Sequence, residues 1–457
     1  MKVLILGAGQ VGSTVAESLV SEANDITVVD VDPARLRNLQ DRLDLRTVVG
    51  SAAHPSVLIG AGIEDCDLVI AVTQSDETNL VACRIAQQLF NVPTRIARLR
   101  ATDYLANERV LGPDCFDVNL AICPEQVLTD YIVKLVEFPE ALQVLEFAHG
   151  KVSLIAVRAF QGGPLVGHPL KEIRKHIPSV DTRVAAIFRG DSPILPEGDT
   201  VVEAGDEVFC LAATENIRQV MRELRRMDRP VKTVMIAGGG NIGLRLARAI
   251  ERDYAIKLIE YNKRRCEMLS SSLDRALVLH GDVTDEALLE AENVADMDLF
   301  VAVTNDDENN IMSCLLAKRM GARRVVALIN RRSYVDLLQA GQIDIAISPA
   351  QATIGTLLAH VRRGHVTQVH SLRRGAAEAL EAVVHGDRES CRCVGRRIEE
   401  IDLPKGAAIA AVVRGDTVIM AHHDTVVEAE DHVIVFVTDK KLLPRVEKLF
   451  EVSAGFV

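Results

Sequence analysis

Residues 3–12 read VLILGAGQVG, and residues 235–243 read MIAGGGNIG. Each is an aliphatic run that enters glycines spaced G-x-G-x-x-G. A strand, a glycine turn and the start of a helix are the parts of a doubly wound α/β unit that takes a nucleotide pyrophosphate. The first glycine of each set (Gly7, Gly238) permits the tight turn. The second (Gly9, Gly240) leaves room for phosphate to approach the backbone. The third (Gly12, Gly243) lets helix and strand pack closely. Ala8, Gln10 and Val11 complete the first loop; Gly239, Asn241 and Ile242 complete the second. The following helix offers N–H groups and a positive dipole end to an anion.

The two loops are one instance of a repeat that fills the chain. Gly50 and Gly281 keep the loops' offset of 231, as do Ala71–Val72–Thr73 with Ala302–Val303–Thr304, and Asp76–Glu77 with Asp307–Glu308. Later the offset is 225: Pro124 and Gln126 match Pro349 and Gln351, and Asp199 to Ala204 matches Asp424 to Ala429 without change. The chain is a tandem duplication of a two-part unit.

The first part of each unit alternates strand and helix. Residues 2–6, 25–30 and 67–72 are expected strands, 11–22 and 77–90 helices, with Asp32 as N-cap ahead of Pro33. In the second half 233–237, 256–260 and 298–303 are strands. The later part is a small α+β module of about 85 residues, β-rich at 151–160 and 183–189 and closed by a helix at 214–227. A connector helix over about 124–138 joins the parts; its counterpart runs from Pro349 to roughly Arg363. The expected domains are 1–123, 140–228, 232–348 and 366–453.

An acidic residue ends the second strand of each half. Asp30 lies 18 residues after Gly12, and Glu260 lies 17 after Gly243. A carboxylate there accepts hydrogen bonds from ribose hydroxyls and repels a 2′-phosphate, so NAD(H), ATP or ADP is expected over NADP. Arg264 and Arg265 weaken that exclusion at the second site. Thr73 and Gln74, and Thr304 and Asn305, follow a central strand on the ligand side of the sheet. Ser75 or Asp76 is a candidate cap for the next helix. Arg98 is a candidate phosphate contact; at its matching position the second half has Ile329, before Asn330 and Arg331.

No His or Lys paired with an orienting carboxylate recurs in both halves, and the twelve histidines do not follow the repeat. No catalytic residue and no metal ligand is therefore assigned, and the chain is expected not to be an enzyme. His422–His423, in a loop, is a metal candidate outside the repeat, and Cys391–Arg392–Cys393 is the one close pair among nine scattered cysteines, a redox candidate. The net charge of −12 gives no general attraction to nucleic acid or anionic lipid. The run Arg222 to Arg226 reads as a solvated helix face. No apolar stretch is long enough to span a bilayer, and no signal peptide opens the sequence.

These segments carry a resemblance over essentially the whole chain: KVLILGAGQVGSTVAESLV, NDITVVD, AVTQSDETN, DTRVAAIFRGD, AGGGNIG, AVTNDDENNIMSCLLAKRMGA and RRSYVDLLQAGQIDIAISPAQATI. The chain resembles the TrkA family, the peripheral regulatory subunits of bacterial Trk potassium-uptake systems. Its unit resembles the RCK (regulator of potassium conductance) domain, a Rossmann-like doubly wound parallel sheet plus a small α+β C-terminal subdomain. The resemblance implies NAD(H), with ATP or ADP as a competitor, at Gly7, Gly9, Gly12, Asp30, Thr73, Gln74 and Arg98, and at Gly238, Gly240, Gly243, Glu260, Thr304 and Asn305. It implies a ring, a homotetramer, under a membrane potassium-translocating subunit of the TrkH/TrkG type, at the cytoplasmic face of the inner membrane. Neighbouring Rossmann parts would pack together, with connector helices crossing between partners. The alternatives are an NAD-dependent oxidoreductase, or an RCK regulator of a different cation channel or antiporter.

Overall fold

The computed structural model describes residues 1–457 except 21–23, 191, 195, 225–229, 332–333, 335–341, 351–353, 356, 359–365, 373–376 and 453–457. Short aliphatic runs separated by helices fold into a six-stranded parallel sheet. Its strands are β1 (Lys2–Leu6), β2 (Asp25–Asp30), β3 (Arg46–Val49), β4 (Leu68–Ala71), β5 (Thr94–Arg98) and β6 (Leu120–Ile122). They lie in the order β3-β2-β1-β4-β5-β6, the doubly wound arrangement that reverses direction beside β1. β4 is buried at all four residues, as expected for a strand covered by helices on both faces.

A second sheet is antiparallel: β7 (Ala141–Phe147), β8 (Val152–Arg158), β9 (Thr182–Arg189), β10 (Ser192–Ile194) and β11 (Glu207–Ala213), ordered β10-β9-β11-β8-β7. The chain then repeats itself. β12 (Thr233–Ala237), β13 (Ala255–Glu260), β14 (Leu277–His280), β15 (Leu299–Ala302), β16 (Val325–Leu328) and β17 (Ile345–Ile347) rebuild the parallel sheet in the same order. The last lobe contains β18 (Val366–Leu372), β19 (Ala377–Val383), β20 (Arg396–Arg397), β21 (Ala407–Arg414), β22 (Thr417–Met420), β23 (Val426–Val427) and β24 (His432–Val437). Five of these strands form a sheet ordered β18-β19-β24-β21-β22, and β20 pairs with β23.

The helices start where local chemistry places them. Asp32 accepts from the Ala34 N–H, with Pro33 at the first helical position. The first glycine helix is Gln10–Val20. The expected helix at 214–227 is a 3-10 turn, Thr214–Asn216, leading into the helix Ile217–Leu224; Arg225 and Arg226 lie outside the described residues. Most of the expected second connector, Pro349 to Arg363, also lies outside them.

The two halves exchange connectors. Leu128, Ile132, Leu135 and Val136 on the connector Pro124–Glu137 are buried with Val234, Ile236, Leu246 and Val301 of the second parallel sheet. In return Ile354, Leu357 and Leu358 join the core of Val3, Ile5, Val15 and Leu19 in the first. The crossing expected between partners thus occurs between halves of one chain. Each such side chain contributes about 2 kcal/mol of burial.

The small lobes meet face to face. Leu145, Phe147, Phe188 and Phe209 of the first share a core with Leu372, Ala411, Met420 and Phe436 of the second. Polar contacts frame it: the Ala148 N–H donates to Glu381 Oε2 at 2.8 Å, Lys151 Nζ to Asp416 Oδ1 at 2.7 Å, and the Arg183 guanidinium to the Ala421 carbonyl. Among the described residues no helix is long and apolar enough to cross a membrane.

Candidate functional site

The glycine loops are shaped by contacts that leave no choice of residue at two positions. Gly7 and Gly238 hold φ of 110° and 108°, in the region that favours glycine. A Cβ on Gly12 would stand 1.8 Å from the Gly7 carbonyl oxygen, and one on Gly243 1.9 Å from that of Gly238. At Gly9 and Gly240 a Cβ would meet nothing within 4 Å. Those two glycines border open space, which suits the approach of a phosphate to the backbone.

That space is a single cavity. A cleft of about 1120 Å³ is lined by Gly7, Ala8, Gly9, Gln10, Val11, Asp30, Thr73, Gln74 and Arg98, and also by Gly240, Asn241, Ile242, Thr304 and Asn305. The two sites expected from sequence therefore open into one volume. Of the remaining expected residues, Gly12 and Gly243 pack under the loops. Gly238, Gly239 and Glu260 are outside the lining of the cleft, with the Gly239 N–H donating to Glu260 Oε2 at 2.9 Å.

Both acidic residues have a task in the protein itself. Asp30 accepts from the Ala8 N–H at 2.6 Å and the Asp32 N–H at 2.8 Å. Glu260 repeats the pattern with Gly239 and with the Asn262 N–H at 2.8 Å. Each carboxylate clamps its glycine loop and keeps further lone pairs unused. Arg265 is turned onto the Gly239 carbonyl at 2.9 Å. A Cβ on Gly239 would lie 2.4 Å from Leu269 Cδ1, so the second loop is packed more tightly than the first, which carries Ala8 there.

Behind Thr73 and Thr304 lies a device that the sequence reading left without a role. Asn79 is fully buried. Its Oδ1 accepts from Thr73 N (2.9 Å) and Oγ1 (2.7 Å), while Nδ2 donates to the carbonyls of Thr73 (3.3 Å) and Arg98 (2.8 Å). Asn310 does the same for Thr304 and Leu328. Ser75 is the helix cap, accepting from the Thr78 N–H at 3.1 Å. Asp76 is not a cap: its Oδ2 accepts from the N–H groups of Arg100 and Ala101, both at 2.8 Å. Asp307 holds Asn330 and Arg331 alike. The recurrence of Asp and Asn three residues apart in both halves was the available signal.

The same contacts correct one alignment. The helix after Ser75 has 15 residues and its counterpart 14, so the offset falls to 230 beyond it. β4 pairs Ala71 with Ala97, and β15 pairs Ala302 with Ala327. Arg98 therefore corresponds to Leu328, not Ile329, and Arg100 to Asn330. In the first half Arg98 donates to Glu125 Oε1 at 3.0 Å, and Arg100 Nε stands 3.7 Å from the same oxygen. The Nε–H groups of both arginines are buried without a hydrogen-bond partner.

The other candidates lie elsewhere. Cys391 and Cys393 are free thiols buried against the carbonyl of Leu449. A hydrogen bond from Cys393 pulls the Cys391 thiol below its ordinary range. His422 contacts Arg174 at 3.0 Å. Among the described residues no three His, Cys, Asp or Glu side chains converge as a metal site.

Two family models match the chain, each twice: the TrkA-N domain at residues 3–118 and 234–349, and the TrkA-C domain at 154–225 and 388–450. The chain is 58% identical to the Trk system potassium uptake protein TrkA of Halomonas elongata and 54% identical to that of Vibrio alginolyticus, over 100% of both chains in each case. In fold it is similar to the GsuK RCK domain (TM-score 0.62, 19% identity, 98% of this chain and 94% of that one). It is likewise similar to the GsuK channel solved bound to NAD (TM-score 0.62, 18% identity, 98% and 78%).

Proposed function

The chain belongs to the TrkA family of Trk-system potassium uptake proteins, and from that premise we propose that it senses adenine nucleotides and gates a membrane potassium-translocating subunit. The observation that carries the reading is the single cleft into which both glycine loops open. A ligand there touches both halves at once. It shifts the protein between two shapes by as much as its affinities for them differ.

In this reading Gly7 to Gly12 and Gly238 to Gly243 receive pyrophosphates at the two helix N-termini, and Asp30 and Glu260 receive ribose hydroxyls. Thr73, Gln74 and Arg98, with Thr304 and Asn305, border what lies beyond. The ligands are NAD(H) and ATP or ADP. The structurally similar GsuK channel has been solved with NAD, and GsuK also with ADP. The membrane partner is of the TrkH/TrkG type, the chain works as a homotetrameric ring on the cytoplasmic face of the inner membrane, and nucleotide binding rather than catalysis is its task. The four domains lie at 1–123, 140–228, 232–348 and 366–453.

The test is potassium uptake at limiting external potassium in cells lacking this gene, restored with the wild type or with Gly9→Val. The added side chain has open space around its Cβ, so the variant folds while blocking phosphate approach. Uptake restored by the wild type and not by the folded variant supports the reading. Equal restoration by both removes nucleotide gating from it.

A further inference from the structure

The cleft is not electrically symmetric. On the first side its wall carries Arg98, Arg100 and Glu125. The positions that correspond to them in the second half are Leu328, Asn330 and Ala350, which line the same cavity. Two guanidinium groups share one carboxylate oxygen in the first set, and every charged side chain that lines the cleft, Glu17, Asp30 and Arg35 included, lies on the first side. Asn330 is already bound through Nδ2 to Asp307 Oδ1 at 2.9 Å, so the second set offers an uncharged wall.

The arginines show an unfinished hydrogen-bond inventory. Both Nε–H groups are buried without a hydrogen bond, Arg100 Nε standing 3.7 Å from Glu125 Oε1, an arrangement that costs free energy and favours a shift of the pair onto a better acceptor. The side chains of Arg98 and Glu125 are each 14% exposed. A planar guanidinium pair is suited to a phosphate, which offers three oxygens and about 1.5–2 negative charges. The cleft, at about 1120 Å³, is larger than the roughly 300–1,000 Å³ typical of one small-ligand pocket, and both glycine loops border it.

Resting on the proposed nucleotide-sensing role, we propose that the two loops take different classes of nucleotide at the same time. The first takes a nucleoside triphosphate, whose terminal phosphate replaces Glu125 as the partner of Arg98 and Arg100. The second takes a dinucleotide, whose charge ends at the pyrophosphate and whose far nucleoside lies against Leu328, Asn330 and Ala350.

The experiment is calorimetry on the full chain with ATP and NADH, each alone and then together. The expected result is one equivalent of each per chain, with neither displacing the other. The double variant Arg98→Leu, Arg100→Asn gives the first side the second side's residues. It lowers ATP affinity at least tenfold and leaves NADH binding at the second loop in place, which also reports that the chain is folded. Glu125→Ala removes the competing carboxylate and tightens ATP several-fold, a gain that a purely structural role for Glu125 does not produce. Displacement of ATP by NADH at both loops overturns the proposal, as does unchanged ATP affinity in the double variant. A wild-type chain that binds neither nucleotide overturns the sensing role together with it, whereas two equivalents of one nucleotide leave sensing intact and remove only the division of labour.

Discussion

Asn79 and Asn310 are each fully buried, and each makes four hydrogen bonds across the ends of two parallel strands. Replacing Asn79 with Leu leaves the Thr73 N–H and the Arg98 carbonyl without partners, at about 1–3 kcal/mol each. The expected outcome is a lower urea midpoint and weaker nucleotide binding at the first loop, with the second loop little changed. Asp30→Ala has a smaller structural cost and a direct ligand cost. It frees Ala8 from its clamp and removes the ribose acceptor, so nucleotide affinity at the first loop should fall about tenfold or more. Unchanged affinity in calorimetry sinks the assignment of Asp30. The glycine turns and the acidic ends of β2 and β13 were legible as structure because their spacing is set within one strand–turn–helix–strand. Asn79 was assigned no role, and Asp76 only that of a candidate cap, because their contacts reach residues about twenty positions away, and nothing in their neighbours announces the partner.

At the level of elements, the connectors make each Rossmann-like part depend on the other half. Leu128→Asp or Ile132→Asp places a charge in the core of the second parallel sheet, although both residues belong to the first repeat. Hydrogen exchange should rise across residues 233–302 and stay low across 68–98; the reverse pattern would falsify the exchange of connectors. The small lobes carry a repeated pair of another kind. Arg189 holds Asp206 through two hydrogen bonds of 2.9 Å, and Arg414 holds Asp431 through bonds of 2.9 and 2.8 Å. Asp431 is fully buried and also accepts from the Glu428 N–H at 2.7 Å. Asp431→Ala should cost roughly 3 kcal/mol, toward the lower end for a broken buried pair because Arg414 is partly exposed. Thermal unfolding checks it. Helix and strand identity followed well from periodicity and capping residues such as Asp32. The one-residue shortening of the second long helix did not, because the matched motifs on both sides of it conceal where the residue is lost.

On the scale of the whole chain, the lobe interface couples stability to pH. His370 packs edge-on against Phe147, with ring centroids 5.0 Å apart, and burial pushes its imidazole down to about 4. Glu146 and Glu381 act on it in the opposite sense, and Gln368 Oε1 lies 3.2 Å from its Nε2. The unfolded chain binds this proton near the ordinary value of 6.5, so stability from neutral His370 is complete above that pH. It is lost as pH falls from about 6.5 toward 4. The corresponding residue on β7 is Leu145. His370→Leu should therefore flatten the acid side of the stability profile over that window, which denaturant titrations at several pH values can measure. That the lobes meet at all, and that the two nucleotide loops share one cavity, was not legible from the repeat. A duplication states that two units exist and says nothing of which surfaces they turn toward each other.

The reciprocal exchange of connectors has a bearing on ancestry. Two identical half-length chains that traded connector helices would form this same arrangement as a symmetric pair, with every substitution appearing on both sides of the cleft. Joining them end to end releases that constraint. Arg98 could persist while its mirror image became Leu328, and Glu125 while its mirror image became Ala350. Gene fusion, on this view, was the event that allowed one pocket to acquire a left and a right.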